Sequence, residues 1–311
     1  MGERCYWRML YWKKYDLECI SKKDRKMGPF GSNVLRGKFG AEFRRLVCIR
    51  KASDCIKCML RTSCPYAIIF ETSPPPLTKI MRKYETAPRP FVIYFPFKNL
   101  SLAEGDKVII ELTLIGRANE YLPYFAYCFS NVLRSLDFEI NSLSFNGKNL
   151  FKGDGIDFPT EDYNYLKFDL DEDLSPFLVE LILESPLRLV FNGEVLDIPQ
   201  FSALMRNFFR RIVLLDYFHC GGDGQYPFKD VLSMLDEVNI VSFSLNEGIF
   251  ERFSHRQRRR IPFYGVMGSV KYKPVFAFLL PYLRAMRELH VGKNTTFGFG
   301  RVALGSLSVA G

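Results

Sequence analysis

Histidine is scarce in this chain: three residues in 311, His219, His255 and His290, with none between Met1 and Glu180. Acid–base chemistry near neutral pH has only these imidazoles to draw on, so each is a candidate. Several motifs are missing altogether: there is no HExxH helix, no Ser-His-Asp elbow and no dinucleotide fingerprint. Hydrophobic runs are short, and candidates such as Phe276 to Leu280 end at Pro281, far below the ~18 residues that cross a bilayer. No membrane partner is expected. The opening Met1-Gly2-Glu3-Arg4-Cys5-Tyr6-Trp7 lacks the apolar core of a signal peptide, and Tyr6 stands where a myristoylation signal needs Ser or Thr. A cytoplasmic location follows as an expectation, and there the eight cysteines should be free, catalytic or metal-bound rather than disulfide-paired.

What the chain does have is core material and unevenly placed positive charge. Hydrophobic residues make up 48% of the sequence, which excludes wholesale disorder and suffices for one large or two ordinary domains. The net charge is +9, from 43 Lys and Arg against 34 Asp and Glu. Between Arg252 and Arg301 eleven basic residues face the single acid Glu288, and between Arg36 and Arg61 eight face only Glu42 and Asp54. Two cationic zones on an otherwise acidic body point to an anionic partner.

Periodicity predicts the same order of elements twice. The first set runs as a strand from Cys5 to Leu17, a helix from Val34 to Val47, strands at Phe91 to Phe97 and Lys107 to Ile115, a helix from Asn119 to Leu136, and strand-like stretches near Leu143 and Leu166. The second has strands within Leu178 to Phe191, a helix from Phe201 to Phe218, and strands at Asn239 to Leu245 and Phe263 to Tyr272. A helix from Val275 to Leu289 and a strand from Arg301 to Val309 complete it. This is an α+β chain of two tandem ferredoxin-like (βαββαβ, RRM-like) domains, 1–170 and 171–311, with a cysteine-rich insertion at 48–64 in the first.

Three segments carry candidate chemistry. Cys48, Cys55, Cys58 and Cys64 have the clustering of a closed four-thiolate site, with structural zinc expected and an iron–sulfur cluster as the second reading. The run Ser254-His255-Arg256-Gln257-Arg258-Arg259-Arg260 is the densest basic stretch, and Arg256, Arg258, Arg259 and Arg260 suit phosphate contact and stacking on unpaired bases. His290 to Arg301 joins the last helix to the last strand. Gly292, Gly298 and Gly300, flanked by Lys293 and Arg301, are expected to bring backbone N–H groups close to a phosphate.

Leu35-Arg36-Gly37-Lys38-Phe39-Gly40, Cys64-Pro65-Tyr66, Leu114-Ile115-Gly116-Arg117-Ala118-Asn119, His290-Val291-Gly292-Lys293 and Gly298-Phe299-Gly300-Arg301 together resemble the RAMP-superfamily precursor-crRNA endoribonucleases, the sixth family of CRISPR-associated proteins. The resemblance runs in order from about Leu35 to Arg301. It implies two ferredoxin-like domains, a glycine-rich loop (291–300) that contacts RNA, and binding of CRISPR repeat RNA, through Arg36, Lys38 and the basic run among others. It also implies metal-independent cleavage in which a 2′-hydroxyl attacks the scissile phosphate, leaving a 2′,3′-cyclic phosphate and a 5′-hydroxyl. Many members supply a histidine from around the first helix, and this sequence has none there. His290 and Lys293 are therefore the first candidates for catalysis, with His219 behind them and Lys22, Lys23 or Lys26 as auxiliary cations. The second reading is a noncatalytic crRNA-binding RAMP subunit of a CRISPR effector complex, with other Cas subunits as partners.

Overall fold

The computed structural model describes residues 9–309 except 30, 52–53, 73, 75–77, 79–86, 154, 169–172, 225, 227, 229–230 and 255–258, and over 251–254 and 259–261 it describes backbone alone. The chain divides into two compact units, one comprising Met1–Lys167 with Val213–Gly224 and the other Phe168–Ile212 with Gln225–Gly311. The expected boundary at 170/171 lies outside the described residues.

The first unit is built from β1 (Leu10–Ser21), α1 (Gly31–Val47), β2 (Phe91–Tyr94), β3 (Lys107–Ile115), α2 (Leu122–Arg134), β4 (Phe138–Phe145) and the short β5 (Asn164–Leu166). In the sheet β1 lies between β3 and β4, with β2 beyond β3, and β5 also pairs with β1. That is the ferredoxin-like order. Alternation sets the faces: Tyr15, Leu17 and Cys19 of β1 are buried beside Ile110, Leu112 and Leu114 of β3, whereas Lys14, Asp16 and Glu18 take the other face. The two helices close the buried face with stripes spaced four apart, Leu35, Phe39 and Phe43 on α1 and Phe125, Phe129 and Leu133 on α2. Their rings make an aromatic core. Phe39 stacks on Phe129 at 4.7 Å between centroids and lies 5.0 Å from Phe125 and 5.7 Å from Phe70, the last from the short helix Pro65–Phe70.

The second unit repeats the plan with β6 (Pro176–Leu187), α3 (Phe201–Leu215), β7 (Asn239–Ser254), β8 (Arg259–Phe276), α4 (Leu280–Leu289) and β9 (Val302–Val309). Its sheet runs β7, β8, β6, β9, the same order as the first. Val179, Leu181 and Leu183 of β6 are buried with Val270 and Tyr272 of β8, beneath Leu204, Phe208 and Ile212 of α3 and Leu283 and Met286 of α4. The last turn of α3 and the π-helical turn Asp216–Cys220 after it fall in the segment grouped with the first unit.

Element limits differ from expectation where proline sets them. The helix expected from Asn119 begins as a 3-10 turn, Gly116–Tyr121, and becomes α-helical at Leu122 with Pro123 in its first turn. The helix expected from Val275 starts only at Leu280, with Pro281 in its first turn, because β8 continues to Phe276. The first described strand runs four residues past the expected end at Leu17, to Ser21.

Phe39 touches rings from α1, α2, β2 and the short helix, so Phe39→Ala should cost about 3–5 kcal/mol. Urea unfolding checks this: the midpoint should fall with little change of slope, and a fall worth under about 1 kcal/mol would contradict the packing role.

Candidate nucleic-acid interface

The glycine loop is closed on itself. Val291 N–H donates to Gly300 O, Lys293 N–H to Arg188 O and Gly300 N–H to Pro186 O, each at 2.9 Å, while the N–H groups of Phe297 and Gly298 bond within the loop to Asn294 O and Thr295 O. The acceptors at 186 and 188 are presented where β6 breaks register between Leu183 and Leu187. A Cβ on Gly300 would lie 1.8 Å from Val291 O, and one on Gly292 2.6 Å from Arg188 O. The glycines therefore permit close backbone packing and do not form the expected cradle of free N–H donors; Gly298 and Gly300 are themselves buried.

Arg301 also departs from its expected role. It is 4% exposed, its Nε donates to Glu184 Oε2 at 2.5 Å, and its backbone N–H bonds Ser185 Oγ at 2.8 Å. Glu184 also receives Arg287 at 3.3 Å. The guanidinium is consumed by a carboxylate inside the unit. Lys293, by contrast, holds the loop in place by its backbone and leaves its side chain exposed.

Neither described histidine is placed to exchange protons with a bound ligand. His290 is 1% exposed, and its Nδ1 lies 2.8 Å from Phe299 O. Burial, reinforced by Arg301 and Arg211 and opposed by the Phe299 hydrogen bond, pushes its pKa down to about 3. Its backbone has φ 56° and ψ 161° at the end of α4, a conformation otherwise left to glycine. Arg211 on α3, whose pKa burial pushes down to about 10, donates its Nε to Leu289 O at 3.0 Å beside it. His219 is 2% exposed in the π-helical turn, with Nε2 2.8 Å from Pro88 O. The expectation that His290 or His219 is the general base is corrected on this ground: both are sealed, and His290 is held neutral. His255 lies outside the described residues, as do Arg256 and Arg258. The backbones of Arg259 and Arg260 pair with Ser254 and Phe253 at the far end of the β7–β8 ladder.

On α1 the cations divide. Arg36 lies over Phe70 at 4.7 Å and Phe91 at 5.4 Å, packed so tightly on Gly40 that a Cβ there would meet its Nη1 at 2.8 Å. Arg44 sits over Tyr66 at 5.6 Å and Arg45 forks onto Glu42. Lys38 is exposed, its Nζ 3.3 Å from Ser135 Oγ. Lys22 and Lys23 pair with Glu139 and Asp137. Arg36 is thus mainly a packing residue, while Lys38 is open to an anion.

The segment Leu114 to Asn119 is structural. Asn119 Nδ2 donates to Leu114 O at 3.1 Å and Gly116 O at 2.8 Å, and its Oδ1 accepts from Tyr15 OH at 3.1 Å. Gly116, at φ 57°, is approached by the His219 carbonyl so closely that a Cβ would lie 2.1 Å from it. The sequence offered no sign of that approach.

Cys48, Cys55, Cys58 and Cys64 are half-buried free thiols. Burial raises the Cys55 pKa, and Cys48 and Cys64 are near enough to raise it further. Even so, among the described residues no group of three or more His, Cys, Asp or Glu is placed to hold a metal ion. As arranged, the four thiols do not fit the expected closed centre.

Residues 181–302 match the family model described as CRISPR-associated endoribonuclease Cas6, and residues 10–137 match a model described as an N-terminal domain, AF_1859_N. No curated protein matches the chain. Among solved structures, a Thermus thermophilus Cas6 is 11% identical over 95% of this chain and 98% of its own, with TM-score 0.55. A Cas6 substrate-mimic complex is 16% identical over 95% and 99% at TM-score 0.53, and a Cas6 product complex 15% identical over 95% and 100% at 0.54. At these identities the likeness establishes the fold: tandem ferredoxin-like domains. No helix among the described residues is long and apolar enough to cross a membrane.

The sealed His290 makes a prediction in pH. Its folded pKa lies below the unfolded value of 6.5, so its neutral form stabilises the fold fully above pH 6.5, and that stability is lost as pH falls towards 3. Urea unfolding should show a loss on the order of 2–3 kcal/mol from this group between pH 7 and pH 4.5. His290→Asn, which keeps a donor for Phe299 O and tolerates positive φ, should flatten that slope; an unchanged slope would contradict the assignment.

Proposed function

We propose that this chain, whose residues 181–302 match the model of the Cas6 family of CRISPR-associated endoribonucleases, binds CRISPR repeat RNA and cleaves it by transesterification. The coarse activity, crRNA binding and processing, is the family's. The single observation that carries the reading for this chain is the family match over its second unit, in a fold shared along the whole length.

In the proposed step the 2′-oxygen upstream of the scissile bond attacks phosphorus. Its proton leaves to solvent, the new O2′–P bond forms as P–O5′ breaks, and the 5′-oxygen takes up a proton. The products are a 2′,3′-cyclic phosphate and a 5′-hydroxyl. With His290 and His219 sealed, Lys293 is the residue proposed to serve the reaction: its ammonium would stabilise the charge that grows on the phosphorane oxygens. The hydrogen bonds of the loop hold the Lys293 backbone in place, so its side chain starts from a fixed point. Lys38, exposed on α1, is proposed as a backbone-phosphate contact.

Incubation with cognate repeat RNA in EDTA should yield cyclic-phosphate product. Lys293→Ala should lower the single-turnover rate about 100-fold, with Lys293→Arg recovering part of it, while RNA affinity changes much less. Tight binding without product by the native chain would place it in the second class, a crRNA-binding subunit.

Zinc at the cysteine segment is proposed as an event that would draw Cys48, Cys55, Cys58 and Cys64 together, supported by the Cys55-Ile56-Lys57-Cys58 spacing and the proximity of Cys48 and Cys64 to Cys55. It has no part in the cleavage step. Elemental analysis should find about one zinc per chain without a visible absorption band; a visible band would indicate the iron–sulfur reading, and a metal-free folded protein would end the proposal.

A further inference from the structure

In the first unit α2, β4 and the paired strands Phe151–Lys152 and Gly155–Ile156 enclose an open groove of about 850 Å³. Its walls carry aromatic rings that the core does not use. Tyr127 is 52% exposed and Phe158 45% exposed, beside half-buried Phe151 and above buried Phe138. Large exposed rings facing one concave surface are unusual for a solvated face.

The rim is cationic after its own acids are counted. Asp137 is engaged by Lys23 at 2.6 Å and Arg25 at 3.7 Å, and Glu139 by Lys22, with both carboxyls held below their ordinary range by those hydrogen bonds. The Arg134 side chain, at the end of α2, makes no hydrogen bond or salt bridge among the described residues and acts on Glu139 only at longer range. A guanidinium is thus left over at the mouth of an aromatic groove.

We propose that this groove holds an unpaired nucleotide of the bound RNA, its base against the Tyr127 and Phe158 rings and its phosphate on Arg134. A flat base has the apolar faces that the rings require, and the adjoining phosphate supplies the charge that Arg134 lacks. A groove of this volume accommodates a nucleotide. The proposal rests on the reading of the chain as an RNA-binding protein. It adds a contact remote in sequence from the basic run and the glycine loop, and one that selects single-stranded over paired RNA.

The test is photocrosslinking of the full chain to cognate repeat RNA carrying 4-thiouridine at its unpaired positions, with the adduct mapped by mass spectrometry. Adducts should fall on Tyr127 or Phe158. Tyr127→Leu and Phe158→Leu should each weaken binding about tenfold. Arg134→Ala should do the same and reduce the slope of log affinity against log salt by about one. Should one variant fail to fold, the native-chain crosslink still decides. Adducts confined to other residues, or native affinity in the folded variants, overturn the groove while leaving the RNA-binding reading intact. A native chain that binds no repeat RNA overturns both. Variants that bind RNA normally but lose a Cas subunit would assign the groove to a protein partner and likewise overturn the proposal.

Discussion

A backbone N–H that enters the interior must find an acceptor there, and in the second unit the turn after α4 meets that demand at the edge of β6. The register break of β6 exposes the carbonyls of Pro186 and Arg188, and the turn after α4 folds in to use them. Once Gly300 and Lys293 are fixed to those two oxygens, β9 is delivered to β6 in register, with Val302 beside Leu183. The turn has no room for a side chain at 292 or 300, so glycine is the only residue that meets the demand. Four strands and two helices then close over a core that would otherwise have an open edge.

The same closure decides which charges can act on a ligand. Drawing the turn inward buries His290 at its start and Arg301 at its end, and burial changes the chemistry of both. The imidazole stays neutral because no solvent reaches it, and the guanidinium is spent on Glu184. A loop built for RNA contact from free N–H groups would have to leave those groups unpaired in the apo protein, at a cost of about 1–3 kcal/mol for each one buried. This chain instead pairs the N–H groups of 291, 293, 297, 298 and 300 and presents Lys293 on a rigid frame. A held backbone limits the space its ammonium can sample, which lowers the cost of ordering that charge on a phosphate.

Most of the architecture was legible because the signals were local. The run read as a strand from Cys5 to Leu17 and the four-residue stripe of Leu35, Phe39 and Phe43 are properties of neighbouring residues, and they gave elements in the right order, although the described strand continues to Ser21. The short motifs were legible as a family resemblance, yet the reasons for them were not. The Arg36 guanidinium lies across Gly40 onto Phe70, and Asn119 ties Leu114, Gly116 and Tyr15 together. Two of these contacts, Arg36 on Phe70 and Tyr15 on Asn119, join residues far apart in the chain. The grouping of Val213–Gly224 with the first unit has no local signature, and neither has the burial of the two histidines. Scarcity made them look catalytic; only packing shows that they are sealed.

Counting charge from sequence overstates what an anion meets. Of the cations around α1, Arg36 and Arg44 lie over aromatic rings and Arg45 is forked onto Glu42, which leaves Lys38 exposed. Near residue 300 Arg301 and Arg287 share Glu184, which leaves Lys293. Attraction over more than about 10 Å is screened at ordinary salt, so affinity and register depend on the few cations that can reach a phosphate directly. A cation already held by a carboxylate or a ring must give up that partner first, and the gain is then only the difference between two similar interactions. Lys38, Lys293 and the Arg134 side chain are held by no carboxylate or ring among the described residues and carry no such cost. For this fold the useful measure of basicity is therefore the number of cations left over once the interior has taken its share.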